Sequence, residues 1–158
     1  MTVTDSASIE LAFDLAFTGM CGADTFEIAE AHFGHALCDL YRLFELVKPT
    51  ANSGKSEKKA AIAAREAKLK VTSEGQTALA AAWARTFRVH DVIEVTEPAD
   101  LYSDYYTNLY GVLAWRPRTF APEATYPENR GGFYDCRLAG RPVLDTMQSA
   151  FQALLAIT

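Results

Sequence analysis

Asp24-Thr-Phe-Glu-Ile-Ala-Glu-Ala-His-Phe-Gly-His-Ala-Leu-Cys-Asp-Leu-Tyr-Arg-Leu-Phe-Glu-Leu-Val47 decides the fold class. Phe26, Phe33, Leu37, Leu40, Phe44 and Val47 recur at helical spacing, so they share one face of a long amphipathic helix. Asp24 with Glu27 three positions later has the spacing of a capping box, and Pro49 ends the segment. Downstream, residues about 49–56 read as a polar linker, 56–70 as an Ala/Lys-rich helix, and 74–88 as a helix gathering Leu79, Trp83 and Phe87. A helix starting near Pro98 carries Leu101, Tyr105, Leu109, Val112 and Leu113, and Pro117 stops it. A last helix begins at Pro142 and aligns Val143, Met147, Phe151 and Leu154.

Upstream, Ile9-Glu-Leu-Ala-Phe-Asp-Leu-Ala-Phe17 reads at two periods. Alternation suits a half-buried strand, whereas Ile9, Phe13, Ala16 and Phe17 make a helical stripe. A lone strand would lack a partner, so helix is favoured. The expectation is a mainly α, single-domain bundle of five or six helices spanning residues 1–158. A minor β element is allowed at 9–17 or 132–143.

At 158 residues and 49% hydrophobic content, the chain has enough apolar material for a packed core without disulfides. Its three cysteines show no C-x-x-C spacing and suit a reducing, cytoplasmic setting. Glu10 and Asp14 interrupt the N-terminal apolar run, so no signal peptide and no membrane association are expected. The net charge of −5 argues against general nucleic-acid binding. Charge is nonetheless segregated: eight acids and one base in residues 1–47, then seven bases and two acids in 48–70.

Residues 117–141 break the helical pattern with Pro117, Pro122, Pro127, Gly131, Gly132 and Gly140. A long irregular loop is expected there, and such loops are often functional. Arg118, Phe120, Tyr126, Arg130, Phe133, Tyr134 and Arg137 supply the Arg-plus-aromatic mixture favoured at interfaces. Tyr102, Tyr105, Tyr106, Tyr110 and Trp115 make the preceding aromatic helix, 98–116, an adjoining contact surface. The leading functional expectation is therefore a small cytoplasmic protein-binding module, an inhibitor, adaptor or assembly subunit of the kind phages and mobile elements encode. Its partner is another protein or a second copy of itself. No cofactor is expected, and a binding role is favoured over catalysis.

Two enzyme readings stand beside it. Arg85 and His90 have the R-x4-H spacing that resembles the motif of HEPN-domain proteins, a helical group that includes dimeric ribonucleases. That resemblance implies RNA as substrate, with His90 activating a 2′-hydroxyl and Arg85 stabilising phosphate. The position after the Arg is Thr86 here, where that family often has Asn. On one continuous helix the two side chains would stand roughly 140° apart. His90-Asp91, in turn, resembles the His-Asp core of HD-domain metal phosphohydrolases, which implies a divalent metal activating water. Finally, His32, His35 and Asp39 lie within about 60° on one helix flank, and with His90 they form a candidate zinc set. Gly54-Lys55-Ser56 lacks the upstream glycine of a phosphate-binding loop, since Pro49 holds that position.

Overall fold

A computed structural model of the chain describes residues 5–46, 54–96, 111–118 and 128–158. Among the described residues it contains seven helices and one two-stranded sheet. The helices are α1 (Ser6–Cys21), α2 (Phe26–Glu45), α3 (Lys55–Leu69), α4 (Ser73–Ala84), α5 (Val89–Val92), α6 (Glu128–Arg137) and α7 (Val143–Leu155). The strands are β1 (Ile93–Thr96) and β2 (Val112–Trp115). A mainly helical bundle with a small β element is thus the architecture.

Residues 9–17 are helical. Asp5 caps α1 by accepting the Ser8 N–H at 2.8 Å, and Ile9, Phe13, Ala16 and Met20 are buried. The cap of α2 is Thr25 rather than Asp24: its hydroxyl accepts from Ile28 N–H at 3.3 Å. Thr72 likewise caps α4. In each case a hydroxyl satisfies one of the amides that a helix start leaves without a partner. Lys55, assigned to the linker by sequence, joins Ser56 in the first turn of α3.

α4 is the central helix. Every residue from Thr77 to Ala84 is buried, and its alanines let α6 and α7 pack closely against it. Aromatic rings join the layers: Phe13 of α1 stacks on Phe151 of α7 with centroids 3.8 Å apart. Phe33 of α2 meets Trp115 of β2 edge-on at 5.2 Å. Burying an aromatic side chain of this size contributes on the order of 2–3 kcal/mol.

Three sequence expectations need correction. First, the β element is neither at 9–17 nor at 132–143. Ile93-Glu-Val-Thr96 pairs antiparallel with Val112-Leu-Ala-Trp115, in register Ile93↔Trp115 to Thr96↔Val112. The β-branched side chains of β1 suit a pleated surface, and Trp115 and Ile93 are buried beneath it. Among the described residues only Pro142 adds to this sheet, through a bridge to Ala114. Second, the expected helix 98–116 does not include Val112–Trp115, which are strand; its residues 97–110, with Tyr102, Tyr105, Tyr106 and Tyr110, lie outside the described residues.

Third, residues 128–137 are not irregular loop but α6. Two adjacent glycines weaken helix propensity, yet tertiary packing overrides it. Tyr134 is fully buried, edge-on to Trp83 at 5.6 Å and to Trp115 at 6.0 Å. Its hydroxyl donates to the Arg116 carbonyl at 2.7 Å. That anchor holds the turn on α4.

Candidate protein-contact surface

The predicted contact residues of 117–141 are largely occupied within the chain. Arg118 forms a fork with Asp135, its Nε and Nη2 lying 3.1 and 3.0 Å from the two carboxylate oxygens. Gly131 permits the approach, since a Cβ there would collide with the Arg118 guanidinium. Arg130 reaches across to Glu66 of α3 at 3.2 Å. Arg137 donates twice to the Gln76 amide oxygen, at 3.0 and 2.8 Å. Phe133 packs against the core and Tyr134 is inside it. These side chains lock α6 to α3, α4 and β2. Phe120 and Tyr126 fall outside the described residues.

The catalytic candidates separate. Arg85 stacks its guanidinium on the Tyr41 ring, 4.4 Å from the centroid. His90 stands instead beside Glu30, with Nδ1 3.7 Å from the carboxylate, and beside Asp91, with Nε2 at 3.3 Å. Tyr41 and Glu30 are eleven residues apart on α2, about 16 Å along its axis. Within one chain Arg85 and His90 do not converge on a common phosphate. Asp91, the other half of the His-Asp pair, lies 3.3 Å from His90 Nε2, and among the described residues no third side chain is placed to hold a metal ion with them.

His32, His35 and Asp39 do share one flank of α2, and it faces α1. With Cys38 and Arg42 they form one wall of a groove of about 500 Å³ whose other wall is Ala12, Leu15 and Ala16. Asp39 is buried and bonded to Arg42 at 3.0 Å. Among the described residues no group of three or more His, Cys, Asp or Glu side chains is arranged to hold a metal ion. The zinc expectation therefore lacks its ligand geometry.

The groove reveals what the sequence reading passed over. Leu11 and Leu15 are 63% and 66% exposed, one turn apart on α1 beside the groove. Ile28, 43% exposed, lies on the same stripe of α2 as His32, His35 and Asp39. Large aliphatic side chains exposed singly are ordinary, but a cluster bordering a groove is a contact feature. The signal was present in Ile9–Phe17: apolar residues occur on two faces of α1, and only one can be core. Helix α1 carries just two charges, Glu10 and Asp14. None of the described helices is long and apolar enough to cross a membrane.

Comparison with protein-family models, curated proteins and solved structures found no match to this chain.

Proposed function

We propose that this chain is a protein-binding module whose contact surface is the outer face of the α1–α2 hairpin. One observation carries the reading: Leu11 and Leu15 project beside a groove floored by Ala12 and Ala16. A channel between two antiparallel helices accepts a third helix, whose apolar stripe fills the floor while its polar flanks meet the rim. Here the rim is chemically asymmetric. The α1 side is apolar, with Ala12, Leu15 and Ala16, whereas His35, Asp39 and Arg42 stand on the α2 side. Such a rim selects orientation and partner more than it adds affinity.

The same reading moves the interface away from 117–141, because the described arginines of that segment already have partners inside the fold. The cytoplasm is the setting we assign, since Cys21, Cys38 and Cys136 are all free. Capture of the tagged protein from its native lysate tests the proposal. A stoichiometric protein retained by wild type and lost with Leu11→Asp/Leu15→Asp is the expected result. Equal retention by both would remove the hairpin face from the account.

A further inference from the structure

We infer that this chain has a second site, a polar cleft where α4, α6 and α7 meet, and that it binds a small zwitterion of the α-amino acid class. The cleft has a volume of about 170 Å³, the space of about six water molecules. It shares no lining residue with the α1–α2 groove. Ser73, Glu74 and Thr77 form its α4 wall. Arg137 at the end of α6, Arg141 in the turn that follows, and Asp145 and Ser149 of α7 stand opposite.

Charge selects the ligand. Two arginines and two carboxylates line one cleft, yet among the described residues none of the four forms an ion pair with another. Neutral groups hold the cations instead. Arg137 donates from Nε and Nη2 to the Gln76 amide oxygen, at 3.0 and 2.8 Å. Arg141 donates from Nη2 to the Cys136 carbonyl at 3.2 Å. Both guanidiniums are thereby oriented without being neutralised, and donors of each remain for a ligand carboxylate. α7 begins beside them at Pro142, which supplies no side-chain cap to the first-turn amides. The partial positive charge of that helix end favours a carboxylate as well.

Glu74 and Asp145 supply the complementary pole, for an ammonium group. Thr77 is buried and donates its proton to the Ser73 carbonyl at 2.9 Å, which leaves its oxygen as an acceptor. A purely anionic ligand would meet the two carboxylates, and a simple cation the two arginines. Among the described residues no group of side chains is arranged to hold a metal ion. A molecule carrying both signs on one carbon satisfies all four charges, and the small volume limits its size.

NMR titration of the purified full chain tests this, with glycine, L-serine and L-glutamine as probes and acetate, methylammonium and inorganic phosphate as controls. The expected result is saturable amide shifts around residues 73–77 and 137–149 for at least one amino acid, with every control binding at least about 10-fold more weakly. Arg141→Gln and Glu74→Gln should each weaken that binding by about 10-fold or more. Both side chains belong to exposed residues, so the thermal midpoint should stay near that of wild type. No saturation by any of the amino acids would overturn the inference. Equal binding of acetate or phosphate would overturn it too, making the cleft an anion site, and indifference to both substitutions would place the ligand elsewhere.

Discussion

Gly19 lies directly beneath the imidazole of His32, so close that a Cβ at position 19 would collide with the ring. This contact sets the spacing of α1 on α2, and with it the width of the groove above them. Gly19→Ala accordingly brings two opposed effects. Alanine favours helix by about 0.5–1 kcal/mol, but the collision costs about 1–3 kcal/mol. Net destabilisation is expected in wild type and net stabilisation in a His32→Ala background, by urea unfolding of the four proteins of the cycle. Additive effects would show that the two residues do not touch.

Gly75 is a stricter case. A Cβ there would meet the backbone carbonyl of Leu69 rather than a movable side chain. Its N–H also completes the α4 cap, donating to Thr72 Oγ1 at 3.0 Å. Gly75→Ala should cost more than about 3 kcal/mol, well beyond the Gly19 substitution. A thermal midpoint close to wild type would contradict the tight α3–α4 turn.

Arg65 ties the basic helix α3 to the bundle. Its Nη1 donates to the Leu43 and Phe44 carbonyls at 2.9 Å each, satisfying acceptors at the open end of α2. Partial burial pulls its pKa down. Arg65→Ala should destabilise the chain by about 1.5–3 kcal/mol. Amide exchange should rise first in α3, where Leu69 is the one buried residue. Uniform loss of protection would mean that α3 is held by other contacts.

Tyr134 makes the fold sensitive to alkali. Burial pushes its hydroxyl pKa up, reinforced by the nearby Asp135 and Glu94 carboxylates. The folded chain therefore keeps this proton after the unfolded chain has lost it. Stability from this group is complete below the ordinary tyrosine pKa of about 10, and is lost as pH rises through the folded value. Tyr134→Phe should cost about 1–3 kcal/mol at neutral pH, because the Arg116 carbonyl loses its donor. Above about pH 10 the variant should decline less steeply than wild type. Parallel pH profiles would place the tyrosine hydroxyl elsewhere.

The helices that the sequence made legible are those with one apolar stripe. Phe33, Leu37, Leu40 and Phe44 mark the buried face of α2, and Val143, Met147, Phe151 and Leu154 that of α7. Misreadings arose where tertiary contacts outweigh local pattern. The stripe Arg130, Phe133, Tyr134, Arg137 and Leu138 has helical spacing, but Gly131, Gly132 and the nearby prolines masked it. Val112 and Leu113 fit a helix by period and become strand through pairing with Thr96 and Val95. The candidate surface was harder to read. Its arginines point to an interface by composition, while the structure places Gln76, Glu66 and Asp135 against them, partners distant in sequence. Leu11 and Leu15 carried the opposite signal, apolar residues on the face of α1 away from the core.

Side-by-side capture with Leu15→Asp and Arg118→Ala tests the central claim most directly. Leu15 is exposed, and losing the partly buried Arg118 fork to Asp135 should cost about 1.5–3 kcal/mol, so both variants should fold. The account predicts that Leu15→Asp loses the bound protein and Arg118→Ala keeps it. Retention by Leu15→Asp with loss by Arg118→Ala would contradict it and return the interface to the segment around α6.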